Sequence, residues 1–142
     1  MSVLLKHIMT PNPQCVSALD NLIVLKHIYE KRNFHHHIPV TDGGKVIGMI
    51  SLIDFMRAIG NATLEDNEPV YKKSVKEIMT QNVVSLEQNL PIDEAVKIFL
   101  KNEIHAIPVM NKERIVGIIT TNDLLKYFYE KENHLQTGSE IG

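Results

Sequence analysis

The stretch HHIPVTDGGKVIGMISLIDFM, residues His36–Met56, has a near copy in HAIPVMNKERIVGIITTNDLL, residues His105–Leu125. When Ile38–Phe55 is compared with Ile107–Leu124, six of the eighteen positions are identical and seven more are close substitutions. The phrase KHIMTPN at Lys6–Asn12 also recurs, as KEIMTQN, 70 positions later. A long internal repeat is the signature of a duplicated structural unit. The chain is therefore a tandem duplication.

Each copy of this stretch predicts a β-hairpin. In the first copy, the apolar runs Ile38–Val40 and Val46–Ile50 flank a Thr-Asp-Gly-Gly turn, where glycine supplies backbone conformations that other residues avoid. The second copy turns through Asn-Lys-Glu-Arg. Gly48 and Gly117 lie inside the apolar second strands, which favours a close approach of another backbone or of a ligand. Simple helix packing is the alternative explanation for both glycines.

Helices are predicted on both sides of each hairpin. An extended piece, Gln14–Val16 or Val83–Val84, follows each Met-Thr phrase, and an amphipathic helix comes next. In the second copy Asn89 is a candidate N-cap and Pro91 suits the first turn. One apolar stripe of that helix should be buried, formed by Ile92, Ala95, Val96, Phe99 and Leu100. The later helices should begin near Ser51 and Thr120 and end near Ile59 and Phe128.

These elements define the organisation of the chain. Each copy reads strand, helix, strand, strand, helix, which predicts an α/β (α+β) fold of two β-α-β-β-α repeats. A half of about 55 residues is too small to bury a large core alone, so we expect the repeats to pack through their sheets with pseudo-two-fold symmetry. We place the first repeat at 1–60, a linker at 61–74, the second repeat at 75–129 and a frayed polar tail at 130–142.

Composition and charge argue against several classes of protein. The 142 residues are 44% hydrophobic and 23% charged, which is ordinary for a globular chain. A net charge of −2 with scattered basic residues gives no surface for nucleic acid. No apolar run reaches the roughly 18 residues of a membrane span, and the first ten residues have too short an apolar core for a secretory signal. Cys15, the single cysteine, forms no internal disulfide and is either a filler or a reactive thiol. We expect a cytoplasmic protein with no membrane or nucleic-acid partner.

The end of each hairpin carries a hydroxyl and an acid three residues apart. Ser51 with Asp54, and Thr120 with Asp123, fit the capping box, in which each side chain bonds the backbone N–H of the other residue. As pure caps they stabilise their helices by about 1 kcal/mol each. The same groups suit a nucleotide, because a helix start attracts phosphate and a carboxylate accepts hydrogen bonds from a ribose diol. The residues alone leave both uses open.

The order of these motifs resembles a known family. Three motifs occur in the same order twice across residues 4–129. They are a Met-Thr phrase, an HxIPV stretch, and an apolar strand with a glycine that is followed by a hydroxyl residue and, three residues later, an aspartate. This arrangement resembles a tandem pair of CBS domains, the regulatory modules named after cystathionine β-synthase. The resemblance implies that adenosine nucleotides bind in clefts between the two copies, and that Ser51, Asp54, Thr120 and Asp123 are polar ligands, with Asn122 beside them.

The resemblance also implies an adenine slot in each copy. Its expected lining is the start of the IPV strand and the residues before it: His36, His37, Ile38 and Pro39, then His105, Ala106, Ile107 and Pro108. The residues expected to border the base are Val16, Ser17, Val84 and Ser85.

The implied function is ligand sensing rather than catalysis. AMP, ADP and ATP are the expected ligands, ahead of S-adenosylmethionine and NAD, and no cofactor is required. The sequence has no Walker loop, dinucleotide fingerprint or nucleophile elbow, so no catalytic residue is predicted. The alternative is a dimerisation or protein-interaction module with unoccupied clefts. We also expect a regulated partner protein that the sequence does not identify.

The resemblance further implies a homodimer packed through the helices that follow the hairpins. The residues expected to be exposed there are Phe55, Met56, Leu124, Leu125 and Phe128.

The two sites are not expected to be equivalent. The first copy carries His35, His36 and His37 and is one residue longer before the IPV strand. A metal site is the rival interpretation, but three consecutive residues of an extended segment alternate faces and cannot converge, so no metal is predicted. The more polar Thr-Thr-Asn-Asp of the second copy favours tighter binding there.

Overall fold

The computed structural model describes residues 3–141, with side chains described through residue 133. It forms two compact units. The first-hairpin unit is the continuous segment Pro13–Val83, and the second-hairpin unit combines Met1–Asn12 with Val84–Gly142. The packing boundaries therefore fall just after each Met-Thr phrase. Each phrase packs with the hairpin of the other sequence repeat.

The described helices and strands follow the duplicated order expected from the sequence, with a short helix added at the start of each Met-Thr phrase. They are α1 (Leu5–Ile8), β1 (Thr10–Pro11), β2 (Val16–Ser17), α2 (Leu22–Tyr29), β3 (His37–Asp42), β4 (Lys45–Ser51), α3 (Leu52–Ile59), a 3-10 helix (Pro69–Lys72), α4 (Val75–Ile78), β5 (Leu86–Glu87), α5 (Ile92–Phe99), β6 (Ala106–Asn111), β7 (Arg114–Thr120) and α6 (Thr121–Ile141). The predicted mixed α and β fold is confirmed. Among residues 3–141, no helix combines the length and apolar character needed to cross a lipid bilayer.

Each unit contains one small mixed sheet. In the first-hairpin unit the strand order is β2-β3-β4, with β2 parallel and β4 antiparallel to β3. In the second-hairpin unit the order is β1-β7-β6-β5, with β5 parallel to β6 and the other pairs antiparallel. The backbone of Thr80 bridges Met49 in β4, as Thr10 of β1 pairs with Ile118 in β7. Both hairpins shift register at the same place, after Val40 and its counterpart in β6.

The two hairpins turn through two residues each. Gly43 and Gly44 take φ values of 57° and 85°, which only glycine adopts freely. In the second hairpin Lys112 holds a φ of 58° in the equivalent turn. The predicted hairpins are confirmed, although the second accepts a positive φ without glycine.

Gly48 and Gly117 are required by a close backbone approach. A Cβ atom built on Gly48 would overlap the side chain of Met79 and lie 3.1 Å from the carbonyl oxygen of Thr80. Gly117 meets the other Met-Thr phrase in the same way, with the Thr10 carbonyl oxygen at 3.0 Å. The close-approach interpretation is therefore correct, and the approaching group is the Met-Thr phrase.

The hydrophobic core of the first-hairpin unit includes a residue from the predicted linker. Tyr71, in the 3-10 helix, is only 1% exposed and stacks near Phe55 with a ring separation of 6.4 Å. Its hydroxyl donates to the carbonyl oxygen of Thr63 at 2.7 Å. The Lys26 ammonium lies 5.8 Å from the centre of the Tyr71 ring and bonds Asp66 at 2.8 Å. The polar composition of residues 61–74 conceals this packing role.

Several local predictions are wrong. The strand predicted at Val83–Val84, after the second Met-Thr phrase, instead lies at Leu86–Glu87. Leu86 and Glu87 are the residues that pair with β6. Helix α5 begins after Pro91, which is its N-cap, so Asn89 does not cap it. Leu100 follows the last helical residue and is 78% exposed, outside the buried stripe.

The predicted end of the final helix and the frayed tail are also wrong. Helix α6 continues past Phe128 to Ile141. The polar segment that follows Phe128 contains no proline and no glycine before Gly138, so nothing in it stops a helix that has already begun.

Two predicted surface residues lie in the cores instead. Phe55 and Leu124 are 4% and 6% exposed. Both are the fourth residue of a helix that begins immediately after a core strand, and each belongs to the hydrophobic core of its unit. The other three predicted surface residues, Met56, Leu125 and Phe128, are exposed.

Candidate functional site

The junction between β4 and α3 is a complete capping box. Ser51 is the N-cap of α3, and its Oγ accepts a hydrogen bond from the backbone N–H of Asp54 at 3.0 Å. In return the backbone N–H of Ser51 donates to Oδ2 of Asp54, also at 3.0 Å. Both side chains are half-buried. The pairing holds a carboxylate and a hydroxyl together at the positive start of a helix.

The junction between β7 and α6 has the same capping box with additional bonds. The backbone N–H of Asp123 donates to Thr120 Oγ1 at 3.1 Å, and the backbone N–H of Thr120 donates to Asp123 Oδ2 at 2.9 Å. The Thr120 hydroxyl also donates a hydrogen bond to Oδ2 of Asp123 at 3.0 Å. A further hydroxyl, that of Thr10, donates to Oδ1 at 3.3 Å. Asn122 is exposed beside this junction.

The start of each IPV strand lies beside the corresponding junction. His37 pairs with Ser51 across the first hairpin, and Ala106 pairs with Thr120 across the second. The carbonyl oxygen of His36 accepts from the backbone N–H of Leu52 at 2.8 Å. The corresponding bond in the second-hairpin unit joins the backbone N–H of Thr121 to the His105 carbonyl oxygen at 3.3 Å.

The structure therefore brings the predicted strand residues and the predicted polar ligands together in each unit. The next residues of these strands are buried: Ile38, Pro39, Ile107 and Pro108. Ile38 and Ile107 are 1% and 0% exposed, so their side chains belong to the cores rather than to an open wall.

The residues predicted to border the base occupy different positions in the two units. Val16 is buried in β2, where it pairs with Val40, and the backbone N–H of Ser17 donates to Asp20 at 2.9 Å in the turn that follows. Val84 and Ser85 are exposed and precede β5. The residues that pair as Val16 and Ser17 do are Leu86 and Glu87. They lie two residues after the predicted Val84 and Ser85.

Three residues near the junctions were not predicted as site residues. Thr10 reaches Asp123 from β1, and its place in the repeated Met-Thr phrase was the only sequence signal for it. Tyr29 packs against Phe55 at 5.3 Å and against Phe34 at 5.6 Å, and Phe34 in turn lies 5.4 Å from the ring of His36. Burial raises the pKa of Tyr29, and the negative charge of Asp54 adds to the effect.

This aromatic group lies next to the first junction. In the second-hairpin unit, the sequence places aliphatic residues where the first copy has Phe34 and Phe55, namely Ile104 and Leu124. The two junctions therefore share their polar groups but differ in the apolar surface around them.

One cluster among the described residues has the spacing of metal ligands, and it contains no residue of either junction. His27, Glu30 and Asp66 are exposed and place one candidate ligand atom each within 4.8 Å of the others. The Lys26 ammonium already bonds Glu30 at 3.0 Å and Asp66 at 2.8 Å. A lysine cation therefore balances these carboxylates, and we assign no metal to the cluster.

Cys15 lacks the lowered pKa of a reactive thiol. Its Sγ donates to the carbonyl oxygen of Pro13 at 3.6 Å, and burial raises the pKa of the thiol. A raised pKa lowers the fraction of thiolate, which is the nucleophilic form.

Comparisons with known proteins agree with the duplicated architecture. The CBS domain family matches residues 5–61 and again residues 75–130. A CBS domain-containing protein of Dictyostelium discoideum is 32% identical over 133 residues, which cover 88% of this chain and 90% of that protein. L-aspartate semialdehyde sulfurtransferase of Methanocaldococcus jannaschii is 30% identical over 132 residues, covering 91% of this chain and 24% of the enzyme.

One similar solved structure contains bound ligands. The CBS domain pair of protein MJ0100, in complex with 5′-methylthioadenosine and S-adenosyl-L-methionine, superposes with a TM-score of 0.76 and 28% identity. The match covers 92% of this chain and 99% of that one. The chain spans only 24% to 40% of the length of the first three curated relatives it matches, two of which are uncharacterised.

Proposed function

We propose that this chain, which belongs to the CBS-domain family, is a regulatory module that binds adenosine-containing nucleotides at its two strand-to-helix junctions. AMP, ADP and ATP are the leading candidates, ahead of S-adenosylmethionine and NAD. The observation that carries the proposal is the pair of hydroxyl and carboxylate sets, Ser51 with Asp54 and Thr120 with Asp123. The adenosine compounds bound to the similar domain pair of protein MJ0100 support it.

The chemistry of each junction suits binding without reaction. The hydroxyl can donate a hydrogen bond to phosphate at the helix start, and the carboxylate can accept from ribose hydroxyls. The match to the sulfurtransferase covers only 24% of that enzyme, so enzymatic activity does not carry over from it. We therefore propose a sensor rather than an enzyme, acting in the cytoplasm on a partner of unidentified nature.

Calorimetric titration of the full chain with AMP, ADP, ATP, S-adenosylmethionine and NAD tests the ligand class. Replacing both aspartates, Asp54→Asn with Asp123→Asn, should weaken nucleotide binding by about 1.5–3 kcal/mol at each site, the range for hydrogen bonds to charged groups.

The chain offers a matched control in Glu77→Gln. Glu77 forms a capping box with Ser74 at the start of α4, so Glu77→Gln neutralises a capping carboxylate outside both junctions, as the aspartate variants do within them. Nucleotide affinity should not change in this variant. If the double aspartate variant binds as the wild type does, Asp54 and Asp123 are only caps and the ligand assignment fails.

A homodimer is the second part of the proposal. Helix α3 exposes Ile53 and Met56, which are 60% and 58% accessible. Helix α6 exposes Leu125, Phe128 and Tyr129, at 69%, 45% and 66%. Clusters of large apolar side chains on helix surfaces favour association between identical copies. The alternative function, an interaction module with unoccupied sites, predicts the same surfaces without nucleotide binding.

Light scattering tests the dimer, whose mass should be about twice 16.1 kDa. Met56→Glu or Phe128→Glu should shift the particle to monomer, because each places a charge in the proposed contact. Leu100→Glu is the control, since Leu100 is 78% exposed but lies outside both helices. A monomeric wild type at tens of micromolar would refute this part of the proposal.

A further inference from the structure

The aspartates at the two junctions differ in how many hydrogen bonds they already accept. Asp54 accepts one, from the backbone N–H of Ser51 to its Oδ2. An ionised carboxylate offers about four acceptor positions on its two oxygens. Within residues 3–133 no other group donates to Asp54, so Oδ1 and part of Oδ2 are open to a pair of ribose hydroxyls.

Asp123 is more fully engaged. Its Oδ2 accepts from both the backbone N–H and the hydroxyl of Thr120, and its Oδ1 accepts from the hydroxyl of Thr10. These three bonds leave about one acceptor position of the four. A ribose diol that used both oxygens of Asp123 would have to displace the hydroxyl of Thr10.

The Ser51 hydroxyl is likewise engaged in fewer hydrogen bonds than the Thr120 hydroxyl. Ser51 Oγ accepts from the backbone N–H of Asp54, and among the described side chains its own proton has no acceptor. It can therefore donate to a phosphate oxygen. The Thr120 proton is already directed at Asp123, 3.0 Å away. A phosphate at this junction would compete with that carboxylate for the proton.

One of the two additional bonds to Asp123 comes from a Met-Thr phrase. Thr10 lies in β1, opposite Ile118, and its hydroxyl reaches Asp123 at 3.3 Å. Thr80 is its counterpart and bonds the backbone of Met49 at 2.9 and 3.0 Å. Within the part of the chain with described side chains, however, the Thr80 hydroxyl makes no hydrogen bond to an aspartate. The same residue in the same phrase is therefore used in only one unit.

We propose that Thr10 is a positioning residue that weakens the nucleotide site at Thr120 and Asp123, leaving the site at Ser51 and Asp54 as the stronger of the two. This inference rests on the proposed function. It also reverses the order expected from the polar Thr-Thr-Asn-Asp sequence. The physical reason is that Asp54 gains hydrogen bonds from ribose in exchange for water alone, whereas Asp123 must also give up the bond from the Thr10 hydroxyl.

Calorimetric titration of AMP into the full chain distinguishes the two sites. Asp54→Asn should weaken the tighter binding event by about tenfold or more, the scale of a lost hydrogen bond to a charged group. Asp123→Asn should change that event by less than about twofold. Replacing AMP with 2′-deoxy-AMP should weaken binding to the wild type but should add little to the loss already caused by Asp54→Asn, because both changes remove one contact.

Thr10 is tested directly by a change that keeps its shape. Thr10→Val should strengthen the weaker binding event several-fold, by about the cost of exchanging one hydrogen bond. Thr10→Ser restores a hydroxyl and should behave as the wild type does. Thr80→Val is the matched control and should leave both binding events unchanged. Melting temperatures of all variants establish that each is folded.

The outcomes separate this inference from the function on which it rests. Equal losses from Asp54→Asn and Asp123→Asn, or no gain from Thr10→Val in a folded protein, would overturn the ranking of the sites while leaving nucleotide binding established. If the wild type binds none of AMP, ATP and S-adenosylmethionine, the proposed function fails and this inference fails with it.

Discussion

The first-hairpin unit and the second-hairpin unit share a junction but complete their cores with different parts of the chain. Before α4, the first-hairpin unit inserts Tyr71 from the linker, a residue with no counterpart in the repeat. Before α1, the second-hairpin unit packs Val3 against its core. The two copies therefore keep similar hairpins and capping boxes, while segments outside the duplication and substitutions within it make their surroundings unequal.

Among the changes that test this comparison, removing Tyr71 should have the largest effect on stability. Tyr71→Ala should lower the free energy of unfolding by about 3–5 kcal/mol, the range for truncating a large buried aromatic side chain. Tyr71→Phe keeps the ring and loses only the hydrogen bond to Thr63, so it should cost about 1 kcal/mol. Urea denaturation measures both. A small effect of Tyr71→Ala would mean that the linker contributes little to the first-hairpin unit.

Enlarging the two glycines tests the part of the architecture that is shared. Gly48→Val and Gly117→Val should each cost about 1–3 kcal/mol, because added methyl groups overlap a Met-Thr phrase. The two losses should agree, as the contacts do. Met79→Ala should rescue part of the Gly48→Val loss and none of the Gly117→Val loss. Rescue of both variants, or of neither, would show that the Met79 side chain is not the obstacle.

The capping boxes should contribute less to stability than Tyr71 or the two glycines. Ser51→Ala and Thr120→Ala should each lower stability by about 1 kcal/mol through loss of the bond to the helix start. Thr120→Ser keeps the oxygen and should restore most of that loss. Thermal unfolding followed by circular dichroism is sufficient to measure these differences. A loss well above this range at one junction would show that its hydroxyl supports more than the cap.

The smallest expected effect is a pH dependence confined to the first-hairpin unit. Hydrogen bonds from Lys26, and then from His27, lower the pKa of Asp66 below its usual 3.8. Because the folded pKa is lowered, the stabilisation is present above pH 3.8 and disappears as pH falls through the lowered value.

Asp66→Asn should remove this acid-dependent contribution and leave a shallower decline of melting temperature towards about pH 3. Glu65→Gln is the control, because it removes a neighbouring carboxylate that has no bond to Lys26. Identical acid profiles for the wild type and Asp66→Asn would contradict a role for this ion pair in stability.

Much of each hairpin and junction was predictable from sequence because their signals are local. Turn glycines, apolar runs and a hydroxyl with an acid three residues later specify their structures through nearest-neighbour geometry. The positions of Ser51, Asp54, Thr120 and Asp123 followed from that pattern alone. The equivalent strands Val16–Ser17 and Leu86–Glu87 were harder, since a strand of two residues has no periodicity to identify it.

The sequence by itself determined that the chain is a duplication, that each copy ends in a capping box, and that its family is that of CBS domains. Only the tertiary structure decided which Met-Thr phrase lies against which hairpin, why Gly48 and Gly117 must be glycine, and that Tyr71 belongs to a core. It also decided that Thr10 reaches Asp123 while Thr80, among residues 3–133, reaches no carboxylate. These contacts join residues as far as 113 positions apart, and no local pattern encodes a hydrogen bond between such distant side chains.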